Sequence, residues 1–274
     1  EYITVEGEIS IPPDSRFGLT SDTAAGFFTL LDHLGRGLPA RLTVKGQVTG
    51  PITTGIGTKD RDGNSILYDD NLRDMLVKLL ALKARWQVEQ LQDFTGEVPP
   101  IIFIDEPGLV SFGSSGFAAV SREMVLETVG EVVEAIKGAG GLAGLHICAN
   151  GDWGPPLASE CDIISFDAYF YFDNFILYKE PLQQFIKRGG ILAWGIIPTG
   201  DPEVVARESA ESLYTKWRKQ LKLLSEFGFT EKQLMEQTLI APSCGTGSLP
   251  LELAEKVVAM TTQVSKMARD HLST

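Results

Sequence analysis

His146-Ile147-Cys148 closes one apolar run of the chain, and Cys244 follows another inside Pro242-Ser243-Cys244-Gly245. On a strand, residues two apart point to the same face. His146 and Cys148 can therefore present an imidazole nitrogen and a thiolate side by side. If a second strand end brings Cys244 to them, the set becomes one nitrogen and two soft sulfurs. That donor set suits zinc, with a fourth position left open for water, a carboxylate or a substrate. The chain has only three histidines and three cysteines, and three of those six fall at such strand ends. Carboxylates follow other apolar runs: Asp105 and Glu106 after Ile101-Ile102-Phe103-Ile104, and Asp167 after Ile163-Ile164-Ser165-Phe166. Asp105 can bind a substrate or serve as a loop or capping carboxylate. Glu106, next to Pro107, is as readily structural. Asp167 is either a site carboxylate or a strand-end cap. Cys161 reads as an inert core thiol, and His33 and His271 as solvent residues on polar helical faces. The run Tyr169-Phe170-Tyr171-Phe172 can line a ligand or pack in the core.

Apolar β-rich runs alternate with helical stretches along the chain. Val5 to Ile11 alternates in polarity and ends at Pro12-Pro13, which predicts a strand. Further strands are predicted at Leu42–Gly46, Ile101–Ile104, Leu142–Ile147, Asp162–Phe166, Ile191–Ile196 and Thr238–Ala241. Helices are predicted at Ser21–Leu34 (capped by Ser21 or Asp22), Asp70–Thr95, Ser121–Gly138, Phe175–Arg188, Pro202–Phe227 and Leu249–Leu272. Thr49-Gly50-Pro51 reads as a turn, and the Gly-rich stretch from Gly55 to Ser65 as a loop or lid. Strand–helix alternation means a parallel sheet, and the strand count favours a (β/α)8 barrel of the TIM type over an open sheet. In a barrel, Asp105, His146, Cys148, Asp167 and Cys244 converge on the face where such folds keep their chemistry. Only six or seven strands are countable. The barrel is expected to be short by at least one βα unit, or to have lost its first unit before Glu1, since the chain does not begin with Met. One domain, 1–274, is the reading.

At 274 residues and 43% hydrophobic composition, the chain can bury a sizeable core. Its net charge of −12, from 36 acidic and 24 basic residues, argues against a nucleic acid partner. Three cysteines do not make a disulfide framework, and a reducing cytoplasm is the expected compartment. No run approaches the roughly 18 apolar residues of a membrane helix, and neither a leader nor a lipid anchor is expected.

The motifs, taken in order, resemble the C-terminal catalytic barrel of cobalamin-independent methionine synthase. They also resemble its relatives in the uroporphyrinogen decarboxylase-like superfamily, the corrinoid methyltransferases. Gly7-Glu8-Ile9-Ser10-Ile11-Pro12 is similar to that family's entry motif, and Lys45-Gly46-Gln47-Val48-Thr49-Gly50-Pro51 to its Lys-Gly-x-x-Thr-Gly-Pro strand end. Ile104-Asp105-Glu106-Pro107-Gly108-Leu109 resembles Ile-Asp-Glu-Pro-Ala-Leu. Leu145-His146-Ile147-Cys148 resembles the His-x-Cys zinc pair, and Pro242-Ser243-Cys244-Gly245 the Pro-Asp-Cys-Gly that holds the last cysteine ligand.

The resemblance implies zinc held by His146, Cys148 and Cys244. Asp167 stands where the methionine synthases place a glutamate ligand, one methylene shorter. It also implies that Asp105 holds the amino group of homocysteine, a catalytic and substrate-binding role, with Glu106 beside it. Two motifs depart from the family. The segment Gly195–Pro202 has no histidine to serve a folate leaving group, and Thr53–Gly57 has no tryptophan to stack on a pterin. The resemblance spans only the C-terminal barrel of the full-length enzyme, and no counterpart of its N-terminal half is expected here. The expected activity is therefore a zinc-dependent S-methyltransferase making methionine from homocysteine. It would be a short core-type enzyme fed by a methylated corrinoid carrier protein rather than by methyltetrahydrofolate. Alternatives are methylation of another thiol such as coenzyme M, a decarboxylase of the uroporphyrinogen type, and a degenerate zinc-binding barrel with no activity.

Overall fold

The computed structural model describes residues 15, 17–37, 42–111 and 120–272. The expected strand Val5–Ile11 and the Gly7–Pro12 motif lie outside the described residues. In chain order the elements are α1 (Ala25–Leu34), β1 (Lys45–Thr49), α2 (Pro51–Gly57), α3 (Asp70–Thr95), β2 (Ile101–Asp105), α4 (Arg122–Gly138), β3 (Leu142–Ile147) and α5 (Gly154–Ala158). They continue with β4 (Ile163–Phe166), α6 (Ala168–Phe175), α7 (Lys179–Lys187), β5 (Ile191–Ile197), α8 (Pro202–Arg207), α9 (Ala210–Ser225), α10 (Glu231–Glu236), β6 (Thr238–Pro242) and α11 (Leu251–Leu272). The six strands form an all-parallel sheet in the order β1-β2-β3-β4-β5-β6. The protein is thus an α/β fold in which helices connect parallel strands. Among the described residues, no helix is long and apolar enough to cross a membrane.

The chain divides into two compact units, 1–104 with 127–143, and 105–126 with 144–274. In the first, α3 forms where the sequence places buried Leu76, Val77, Leu80, Ala84, Val88 and Leu91 on one helical stripe. Asp69 caps it by accepting from the Asn71 and Leu72 amides, both at 3.0 Å. Gly96 ends it with φ +61°, a conformation that disfavours a side chain. Buried Gln87 of α3 holds β1, accepting from the Gln47 amide (3.1 Å) and donating to the Gln47 carbonyl (3.0 Å).

In the second unit, β3, β4, β5 and β6 pair as parallel neighbours, with one register shift in the β5–β6 pair. The side chains of β3, β4 and β5 are mostly apolar and buried, as expected for strands covered on both faces, whereas β6 is only partly covered. A stacked aromatic core lies behind β4 and β5: Phe166 on Phe175 (3.9 Å between centroids), Trp153 against Phe175 (4.9 Å) and Phe172 on Trp194 (5.7 Å).

The predicted bounds hold for α3 and β3 and differ elsewhere for local reasons. β1 starts at Lys45 rather than Leu42. The stretch after Thr49 is helical because Pro51 takes the first position of α2, where its missing N–H costs nothing. α1 starts at Ala25, with no side-chain cap at Ala24, so Ser21 and Asp22 do not cap it. The helix expected over 202–227 breaks at Glu208-Ser209, where Ser209 and Ser212 form a capping box that restarts the chain as α9. The helix expected over 175–188 is α7, which starts only at Lys179, and a further helix that the sequence did not predict, α6, covers the aromatics 169–172 with Asp167 as its cap.

Candidate metal centre

β3 delivers the first two donors. His146 and the following Cys148 are half-buried, while Ile147 between them is 1% exposed and points into the core. The period-two pattern therefore places both donors on one face. Cys244 is exposed in the bend after β6. One donor atom from each of His146, Cys148 and Cys244 lies within 4.8 Å of the other two. Around one zinc ion, such atoms would sit roughly 3.5–3.8 Å apart given ordinary Zn–S and Zn–N lengths. The cluster therefore needs at most a small closing movement to hold an ion.

The surroundings fix these donors. His146 stands opposite Ser165 in the β3–β4 register, and His146 Nδ1 is 3.0 Å from Ser165 Oγ. If the ring donates its Nδ1 proton there, Nε2 keeps the lone pair that a metal needs. The His146 carbonyl accepts from the Glu106 amide at 2.9 Å, tying the end of β2 to β3. Cys244 is placed through Ser243, whose amide donates to the Ile197 carbonyl (2.8 Å) and whose hydroxyl pairs with Thr199 Oγ1 (3.1 Å). The β5–β6 register shifts between Gly195 and Ile197. A Cβ on Gly195 would lie 2.6 Å from the Phe166 carbonyl oxygen and 2.7 Å from Ser243 Cα. Gly195 is thus what lets the end of β4 and the turn holding Cys244 come so close.

Burial pushes the Cys148 thiol above its ordinary value. The adjacent Cys244 sulfur and, more weakly, the Asp105 carboxylate push it the same way. Two adjoining thiols beside a carboxylate resist ionising together, and a bound cation reverses that balance. The donor chemistry and the spacing both fit a divalent soft-to-borderline metal.

The structure brings together His146, Cys148 and Cys244, with Asp105 near enough to act on Cys148. Asp167 does not join the cluster. It is 5% exposed and caps α6, accepting from the Phe170 amide at 2.9 Å. Burial raises its pKa, while the Phe170 and Tyr169 amides and Lys216 oppose the rise. Glu106 is fully buried, at 0% exposed. Cys161 is 2% exposed and packed, and the Arg188 guanidinium donates to its carbonyl at 3.3 Å. In the aromatic run, Phe172 is core and Phe170 is exposed. Tyr169 donates to Glu208 at 2.6 Å and lies under the Lys216 ammonium, 3.7 Å from its ring centroid. Burial and Glu208 push the Tyr169 hydroxyl up to about 12. The sequence reading missed Ser165 and Gly195. A lone hydroxyl inside Ile163-Ile164-Ser165-Phe166 was the signal for Ser165, since a buried polar group needs a partner.

Ser165→Ala should lower zinc affinity roughly 10–100-fold, as loss of a partner to a ligating histidine commonly does. The fold should lose only about 1 kcal/mol. Chelator competition and denaturant melts measure the two separately, and an unchanged affinity would sink this role. Asp167→Asn should leave zinc content unchanged, because the amide oxygen can still cap α6. Loss of zinc in that variant would make Asp167 a ligand.

No protein-family model matches the chain, and no curated protein matches its sequence.

Proposed function

We propose that the chain is a zinc-dependent methyltransferase acting on a small thiol, with homocysteine as acceptor and methionine as product. The observation that carries this reading is the convergence of His146, Cys148 and Cys244, all within 4.8 Å, beyond the C-terminal ends of parallel strands. Chemistry in α/β folds gathers at those ends. Three protein donors leave one position for substrate, the pattern of catalytic rather than structural zinc. The ordered motifs Ile-Asp-Glu-Pro, His-x-Cys and Pro-x-Cys-Gly support the same reading by their resemblance to the methionine synthase barrel. On that ground we also read the fold as a (β/α)8-type barrel.

His146, Cys148 and Cys244 would hold the ion. When bound, zinc keeps a thiol substrate in its thiolate form, which is scarce for an ordinary thiol at neutral pH. Asp105, close enough to act on Cys148, pairs with the substrate ammonium and orients the sulfur. Ser165 and the Glu106 amide hold His146 in place during the reaction. The sulfur lone pair forms the new S–CH3 bond while the bond from methyl to its carrier breaks, and the carrier leaves with the bonding pair. The missing histidine in Gly195–Pro202 and the missing tryptophan in Thr53–Gly57 favour a methylated corrinoid, delivered by a carrier protein, over a folate. A sulfonate thiol such as coenzyme M fits less well, because the resemblance puts a carboxylate, Asp105, where a sulfonate would need a cation.

Purified protein should contain about one zinc per chain, the stoichiometry of a single catalytic site. It should convert homocysteine to methionine with methylcobalamin, and chelation should abolish the reaction. Zinc-loaded protein that methylates no thiol from any methyl donor would refute the proposal.

A further inference from the structure

Cys148 and Cys244 are placed to react with each other. Their sulfurs belong to the same cluster of donor atoms, all within 4.8 Å of one another. Cys148 is half-buried at the end of β3, whereas Cys244 is exposed in the bend after β6. An oxidant therefore meets Cys244 first. A disulfide needs the bend after β6 to close the remaining gap, which is less than the 4.8 Å span of the cluster. Cys161, 2% exposed, stays out of reach.

We propose that Cys148 and Cys244 form an intramolecular disulfide when the centre is metal-free, so that oxidation of this pair and metal binding exclude one another. This regulation rests on the metal reading above. With a hydroperoxide as oxidant, the Cys244 thiolate attacks the distal oxygen, the O–O bond breaks and water or an alcohol leaves, giving a sulfenic acid at Cys244. The Cys148 thiolate then attacks the Cys244 sulfur and expels hydroxide, which is protonated to water. Both sulfurs are oxidised, the peroxide is reduced, and the two thiol protons end in the water formed. Once joined, the sulfurs no longer supply two thiolate donors, so the ion is lost. A small-thiol reductant regenerates the pair.

The test treats the protein with a slight excess of hydrogen peroxide, in parallel after zinc loading and after removal of zinc by a chelator. Intact mass, a non-reducing peptide map and a zinc indicator read the outcome. The metal-free protein should lose two hydrogens and yield a cross-linked peptide containing Cys148 and Cys244, reversed by dithiothreitol. The zinc-loaded protein should form the same product more slowly and release one zinc per disulfide. Cys161→Ala should behave as the parent, and Cys148→Ala or Cys244→Ala should give no cross-link while melting as folded proteins. Separate sulfinic acids without a cross-link, or a bridge to Cys161, would overturn the proposal. Zinc bound without cross-linking removes the switch and leaves the metal reading standing. A cross-link in protein that never binds zinc removes the metal reading and leaves the thiol pairing.

Discussion

Cys148→Ser and Cys244→Ser, each alone, should lower zinc affinity by more than the roughly 10–100-fold typical of losing an outer partner, and should bring methyl transfer to background. Each removes one of three donors that converge within 4.8 Å. A serine hydroxyl does not ionise near neutral pH and is a poor replacement for a thiolate on a borderline metal. Cys161→Ala is the control: that thiol is buried apart from the cluster and should retain full zinc content. Chelator competition measures all three. Full zinc content in the Cys244 variant would mean that the bend after β6 does not complete the centre.

The second large effect is expected at Gly195. An added Cβ would stand 2.6 Å from the Phe166 carbonyl oxygen and 2.7 Å from Ser243 Cα. Both neighbours are backbone atoms and cannot turn aside as a side chain could. Gly195→Ala should therefore cost about 3 kcal/mol or more, at the upper end of overpacking effects. Because Ser243 precedes Cys244, the same substitution should weaken zinc binding in the protein that still folds. Gly200→Ala, where a Cβ meets nothing within 4 Å, should change stability by less than about 0.5 kcal/mol. Equal denaturation midpoints for the two variants would contradict the close approach at Gly195.

The donors of the centre were legible in the sequence because few residue types make them and because strand periodicity settles their faces. His146 and Cys148 fall on one face by the period of two, and β3 has the bounds that its apolar run predicts. The bounds of α3 were equally legible, since one apolar stripe and one capping aspartate specify them. Asp167 shows where the reading ran out. A carboxylate after a strand looks the same whether it ligates a metal or caps the next helix; the structure shows it capping α6 through the Phe170 amide at 2.9 Å and outside the cluster of three donors. The split of 202–227 was hidden because helical periodicity continues across Glu208-Ser209, while the capping box of Ser209 and Ser212 restarts the chain. Gly195 was unreadable for another reason. Its role is steric and non-local, set by backbone atoms from β4 and the turn after β6. The pairing of His146 with Ser165 likewise depends on the β3–β4 register, which a single strand does not encode.

The most direct test of the central claim is a zinc-edge X-ray absorption spectrum of the purified protein, with and without homocysteine. The resting protein should show two sulfur donors and at least one nitrogen donor, and a third sulfur donor should appear when the thiol is added. A spectrum with fewer than two sulfurs, or one unchanged by homocysteine at saturating concentration, would contradict that claim.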